Sequence, residues 1–441
     1  MKLLRSLTLL GPLVLTLLSS KVDAETKQLY HVTTTKENYE AALAQFDGEL
    51  DVWRVWERDG SADSVSAQIY ATPSDIKRFE QEARSDRSLI DNDTIIEEDA
   101  TNTAEMLESR AAAREKCVTS SRRHLEQLSS SKYVDNAFFD CFRPAKEVFA
   151  FFDALVDENP SIFTKIANIT TTIEGRTVPG YKISTGGKKK PLYTQALIHS
   201  REWIAGSSTF YTMAALLDAL RANDSDVTAI FDEFEWHFVP ILNLDGYLYT
   251  WSSDDDEARL WRKNRRHISG STYGVDLNRN YGPAKFFNLD GEDETSDTYP
   301  GAAVLSEPET AGSWRYIKRL GIYGAIDMHA FGGLLLRAYG NQKGTPPAPK
   351  GPLLKTLGDA VAKAAGEEYE SQTSGQMYEA YGCFDDAVFQ ELDRPIFTIE
   401  MAGTSFIAPE SSIRPAGLNM FHAHVALLEW ARKQEADRNQ W

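Results

Sequence analysis

The sequence predicts an α/β sheet domain covered by helices on both faces, preceded by a small α+β unit. Three observations carry this. From about Ser129 to Trp441, helical patterns alternate with apolar strand-like runs, as in a sheet buried on both sides. Residues 25–100 instead set two short helical stretches among several half-buried strand patterns. Between them, residues 101–128 belong to a region of acidic and then basic clusters, the composition of a connecting segment.

The first 24 residues stand apart. Lys2 and Arg5 precede an apolar run from Leu7 to Leu18, and Val22-Asp23-Ala24 has the small-x-small form of a signal-peptidase site. This predicts a signal peptide over residues 1–24 and a secreted, soluble protein without a membrane span. Asn92, Asn168 and Asn223 each open an Asn-x-Ser/Thr sequon for glycosylation on a eukaryotic secretory route.

In the small unit, Gln28 to Thr33, Asp51 to Glu57, Val65 to Tyr70 and Leu89 to Glu97 read as strands. Glu37 to Phe46 and Ser74 to Ala83 have helical spacing, the second with capping chemistry at Pro73-Ser74-Asp75. No residue here looks catalytic. Asp91 to Glu108 holds seven acidic residues and no basic one, followed by Arg110, Arg114, Lys116 and the dibasic Arg122-Arg123. This is either a solvated helical linker or a segment cut by a trypsin-like or dibasic-processing protease. The clustering beside a domain boundary favours cleavage.

In the large unit, Ala145 to Asn159, Ser207 to Ala222, Leu353 to Glu368 and Ala416 to Lys433 read as helices. Ile162 to Thr172, Gly180 to Thr185, Leu192 to Ile198, Phe234 to Leu242 and Gly324 to Asp327 read as strands. The polar stretch from Gly282 to Thr298 reads as a long surface loop. The 441 residues are 42% apolar and 25% charged, enough for two or three domains. A net charge of −18 argues against nucleic-acid and anionic-membrane partners, which need basic patches. Of three cysteines, Cys117 and Cys141 are the expected disulfide, leaving Cys383 a buried thiol.

The chemistry centres on His199-Ser200-Arg201-Glu202, just past an apolar strand. An imidazole and a carboxylate at this spacing can converge on one cation, and catalytic zinc takes three protein ligands plus an open position. Ala325-Ile326-Asp327-Met328-His329 supplies a third ligand, His329, at another strand end. Phe397-Thr398-Ile399-Glu400 delivers a carboxylate at the end of a third strand, where hydrolysis needs a general base. Trp261-Arg262-Lys263-Asn264-Arg265 and Val275-Asp276-Leu277-Asn278-Arg279-Asn280 are basic segments in an acidic protein, suited to an oxyanion and a substrate carboxylate.

Together with Pro240-x-x-Asn243-x-Asp245-Gly246-Tyr247 and Ser306-Glu307-Pro308-Glu309-Thr310, these motifs resemble those of the pancreatic-type metallocarboxypeptidases, in the same order, from about Ser131 to Trp430. The resemblance implies a mixed, mostly parallel twisted sheet with helices on both faces, and an upstream domain similar to that family's inhibitory propeptide. It implies one zinc ion held by His199, Glu202 and His329, and Glu400 as general base. Arg262 falls where the family polarises the scissile carbonyl and stabilises the oxyanion. Asn278 and Arg279 match the clamp for a terminal carboxylate, Tyr378 a mobile tyrosine over the bound residue, and Arg201 an auxiliary substrate arginine. Asp385 falls where members that remove Lys and Arg carry a pocket-floor acid.

The expectation is a secreted, monomeric zymogen that releases single C-terminal residues from peptides and proteins, basic ones preferentially, once a protease has cut the connecting segment. Its rivals are a preference for apolar or aromatic C-termini and a non-catalytic peptide-binding homologue. Tyr381, Cys383 and Phe384 replace small residues usual near the pocket, and Ala330-Phe331 replaces a common serine and tyrosine.

Overall fold

The computed structural model describes residues 25–46, 50–57, 63–84, 94–99, 117, 132–287 and 293–436. The leader, Asn92, the strand pattern from Leu89 to Asp93, and all of the connecting segment except Cys117 lie outside them.

Residues 28–98 form a four-stranded antiparallel sheet of β1 (Gln28–Thr35), β2 (Asp51–Glu57), β3 (Ser64–Ala71) and β4 (Ile95–Glu98), in the order β2-β3-β1-β4. Helices Lys36–Leu43 and Pro73–Ala83 contribute Tyr39, Ala42, Ile76 and Phe79 to a separate core with Val32, Ala67 and Ile69. The second helix is capped one residue earlier than the sequence suggested: Thr72 Oγ1 accepts from Asp75 N at 3.1 Å. Leu29, Trp53 and Tyr70 join the core of the large domain instead.

The large domain is built on eight strands: β5 (Phe163–Thr171), β6 (Thr177–Ile183), β7 (Lys190–Ala196), β8 (Phe234–Val239), β11 (Gly324–Ala330), β12 (Leu334–Arg337), β13 (Glu370–Thr373) and β14 (Ile396–Met401). A short hairpin of β9 (His267–Ser269) and β10 (Thr272–Tyr273) stands outside the sheet. The strand order is β13-β12-β14-β11-β7-β8-β6-β5, parallel through β14, β11, β7 and β8 and between β12 and β13, antiparallel elsewhere. The expected mixed, mostly parallel sheet is therefore present. Its central parallel strands end on one edge, where open α/β sheets place their sites.

Among the helices beyond the sequence reading, Pro308–Leu320 and Phe384–Leu392 are the longest in the described residues. The first was obscured because Thr310, Gly312 and Ser313 are poor helix formers. Gly312 is small for a packing reason: a Cβ there would lie 1.9 Å from Thr170 Oγ1 in β5. Helix Trp203–Arg221 starts four residues before the predicted Ser207, and every residue from Trp203 to Leu217 is buried. A helix covered on all sides carries no amphipathic stripe to mark where it begins. Cys117 and Cys141 form the expected disulfide, and Cys383 is a buried free thiol. The far end of the Gly282 to Thr298 stretch is less superficial than expected. Lys263 Nζ donates 2.7 Å to Ser296 O, and Ser296 is buried.

Candidate active site

β7 ends at Ala196, and the chain turns sharply at Leu197, whose φ is +54°. A leucine in the left-handed region is strained, and such strain persists only where the surroundings impose it. Here backbone bonds from Leu242 N to Ala196 O and from Asn243 N to Leu197 O, both 3.1 Å, hold the turn. The turn carries His199 to the cleft and places Glu202 at the head of helix Trp203–Arg221.

Three side chains meet there. His199 Nδ1 lies 2.8 Å from Glu202 Oε1, His329 Nδ1 lies 3.1 Å from His199 Nδ1, and His329 Nδ1 lies 3.3 Å from Glu202 Oε2. All three residues are buried. Ligands about 2.1 Å from a tetrahedral zinc ion are separated by about 3.4 Å, so the donor atoms fit a zinc ion with only slight expansion. Burial would raise the Glu202 carboxyl, but the two imidazoles outweigh it and hold the group well below the usual carboxylate range.

Each imidazole presents its far nitrogen to another carboxylate. His199 Nε2 lies 3.2 Å from Asp276 Oδ1, and His329 Nε2 lies 3.0 Å from Asp327 Oδ2. Asp276 also accepts from Arg262, at 2.9 Å from Nη2 and 3.2 Å from Nε. Burial opposes its charge, yet Arg262, His199 and Arg279 keep its carboxyl well below the ordinary value. Arg262 is thereby fixed at the cleft by a partner in the segment that carries Asn278 and Arg279.

Glu400 comes from β14, whose register sets it directly beside His329 of β11. Burial pushes its carboxyl up to about 8; Glu202 and Asp327 add to this, and His329 and Arg262 oppose it. A cation at the neighbouring ligands would draw it back down.

Asn278 and Arg279 lie on the turn Leu277–Arg279, capped by Asp276, which accepts from Asn278 N at 2.8 Å. Asn278 Oδ1 accepts from Phe384 N at 2.8 Å, and its amide nitrogen makes no hydrogen bond among the described residues. Arg279 Nη2 meets Tyr378 Oη at 3.3 Å, and Nη1 meets Cys383 Sγ at 3.5 Å. Tyr378 remains 44% exposed. Gly382 has φ +72°, and a Cβ there would lie 2.0 Å from Arg279 O, so only glycine lets the pocket wall approach the arginine.

Residues 148–423 match the family described as Zinc carboxypeptidase. The chain belongs to the zinc carboxypeptidase family. It is 31% identical to human carboxypeptidase A1 over 314 residues, covering 68% of this chain and 73% of the relative. It is 28% identical to human carboxypeptidase B over 300 residues, covering 65% and 70%. The crystal structure of carboxypeptidase A from Helicoverpa armigera shares the fold, with a TM-score of 0.76 at 23% identity over 93% of this chain and 99% of that one. This zinc carboxypeptidase is a peptide hydrolase with zinc as its cofactor. No helix among its described residues is long and apolar enough to cross a membrane.

Asp385 and Asp386 begin helix Phe384–Leu392 of the carboxypeptidase and have different surroundings. Asp386 accepts from Gly340 N and, at 2.7 Å, from Asn341 N, so the backbone holds it. Asp385 Oδ2 accepts from Ser374 Oγ at 2.6 Å, and among the described residues it makes no ion pair. Burial raises the Asp385 carboxyl, and burial together with Asp385 pushes Asp386 up to about 7. Phe384 points away into the core against Tyr193 and Tyr281, and Tyr381 is exposed, so neither fills the space beside Asp385.

Arg201 lies under the small domain. Its Nη1 is 3.0 Å from Asp51 Oδ1 and 3.2 Å from Asp297 Oδ2, and its guanidinium stacks 4.2 Å from the Phe406 ring centroid. Trp53 fits between Phe331, Phe406 and Tyr70 at centroid distances of 6.4, 5.2 and 5.3 Å. Sequence reasoning missed Asp276 and Asp327, although Asp-x-His on a strand puts both side chains on one face. It also missed Asp51 and Trp53, for which the strand pattern alone gave no signal.

Proposed function

We propose that this enzyme removes single C-terminal residues from peptides, prefers Lys and Arg, and is secreted as a zymogen whose domain over residues 25–100 closes the cleft. The observation that carries the basic preference is Asp385, a buried carboxylate with a hydroxyl and its neighbour's amide as partners but no cation among the described residues. An unpaired buried charge is costly, and a guest ammonium or guanidinium relieves that cost.

When bound by His199, Glu202 and His329, zinc acts as a Lewis acid and lowers the pKa of a coordinated water to about 7. Glu400 takes the proton from the attacking water and returns it to the leaving amine. Arg262, held by Asp276, donates to the oxygen on which negative charge develops. Arg279 and the free amide nitrogen of Asn278 grip the terminal carboxylate, and Tyr378 covers the bound residue. An internal segment of a chain lacks that carboxylate and is poorly held, so the action is exopeptidic. Arg201 contributes to the substrate groove once Asp51 departs. Activation then needs a protease acting within residues 101–128, and the active unit is the monomer over residues 129–441.

The test is to treat purified precursor with trypsin and offer peptides ending in Arg, Lys, Phe or Leu. Activity that appears only after cleavage and is greatest on Arg and Lys fits the proposal. Greater activity on Phe or Leu removes the basic preference, and equal activity before cleavage removes the zymogen.

A further inference from the structure

We propose that Asp327 is a positioning residue for the zinc ligand His329, matching the role of Asp276 toward His199, and that it raises zinc affinity. The inference rests on the ligand assignment above. Asp327 and His329 are two residues apart on β11 and share a face of the strand. Asp327 Oδ2 lies 3.0 Å from His329 Nε2, while His329 Nδ1 faces His199 and Glu202. An imidazole that gives its Nε2 proton to a carboxylate keeps the Nδ1 lone pair for a metal, with its ring orientation fixed and its basicity raised.

The two carboxylates differ in what else they do. Asp276 is paired with Arg262 and caps the Leu277–Arg279 turn, so it has work in the fold whether or not zinc is bound. Asp327 is fully buried, and apart from the 3.0 Å contact with His329 Nε2 neither of its oxygens has a hydrogen-bond partner among the described residues. Among the described residues it meets no Lys or Arg, and its ion-pair contact is with His329. A carboxylate in that position destabilises the folded chain unless positive charge compensates it; what reaches it here is the His329 imidazole, and a zinc ion bound to that ring would add charge through it. Asp327 thus serves the metal-loaded state rather than the bare fold.

The test compares full-length wild type, Asp327→Asn, Asp327→Ser and His199→Ala by zinc competition against a chelator and by thermal melting with and without zinc. For both Asp327 variants the expected zinc dissociation constant is about 10 to 100 times that of wild type, the usual effect of losing such a partner. The zinc-free melting temperature should not fall, and the rise on adding zinc should shrink. An Asp327→Asn or Asp327→Ser protein with wild-type zinc affinity overturns the inference, as does an equal drop in melting temperature with and without zinc, which marks a merely structural residue. His199→Ala keeps the two readings apart. Loss of zinc there with unchanged affinity in the Asp327 variants overturns this inference alone, whereas wild-type zinc retention in His199→Ala overturns the ligand assignment and this inference with it.

Discussion

Asp51 of the small domain places Oδ1 3.0 Å and Oδ2 3.2 Å from Nη1 of Arg201, a side chain only 2% exposed in the cleft of the large domain. Two residues on, Trp53 is wedged against Phe331 and Phe406. A polar anchor and an aromatic plug from one strand therefore tie the small domain to the large one beside the candidate site, and under the proposed function they close the groove that a peptide would have to enter.

Asp51→Asn should loosen that closure without unfolding either domain. Arg201 keeps Asp297 and the Phe406 ring, so the loss is that of one charged hydrogen bond, about 1–3 kcal/mol. Hydrolysis by the uncleaved precursor should rise about tenfold. A precursor as silent as wild type would show that Trp53 and its neighbours suffice.

Glu400→Gln should lower kcat by about 10² to 10⁴ while the protein still holds one zinc ion per chain. Gln is nearly isosteric and cannot accept a proton, and Glu400 is not among the three convergent ligand groups. Metal analysis alongside kinetics checks both halves. Loss of zinc would mean that Glu400 supports the ligands rather than the proton transfer.

Much of this arrangement is legible in the sequence. His199, Glu202 and His329 sit beside strand ends, and apolar runs advertise strand ends well. Glu400 followed for the same reason. The positions that escaped share a different physics. Gly312 and Gly382 are dictated by what approaches them from distant parts of the chain, and no local pattern records that approach. Leu197 gives no hint of a left-handed turn, because leucine is rarely found in one. Asp51 is indistinguishable from any polar residue of an alternating strand until the partner domain is in place.

Asp385→Asn should cut kcat/KM for peptides ending in Arg about 100-fold and leave those ending in Phe nearly unchanged. The wild-type pH profile gives an independent check. Asp385 must be ionised to pair with a cationic side chain, and burial raises its carboxyl above the usual value of about 3.9. For Arg substrates kcat/KM should therefore begin to fall on acidification at a higher pH than an ordinary aspartate would give. In Asp385→Asn that limb should disappear. Equal losses on Arg and Phe peptides would refute the pocket assignment.

Gly206→Ala should destabilise the protein even though alanine is the better helix former. The added Cβ would lie 2.6 Å from Leu197 Cδ1 and 2.9 Å from its Cγ. Helix propensity favours the change by about 0.5–1 kcal/mol, whereas overpacking of this kind costs about 1–3 kcal/mol. The clash should win, by about 1–2 kcal/mol on those figures, a fall of several degrees in melting temperature for a domain of this size. Leu197 is two residues before His199, and Gly206 is on the helix that Glu202 heads, so relieving the clash moves two ligands apart. Zinc affinity should fall with stability, and a chelator titration at constant temperature separates the effects. A variant that melts lower but binds zinc as wild type does would show that the turn at Leu197 is decoupled from the ligands it carries.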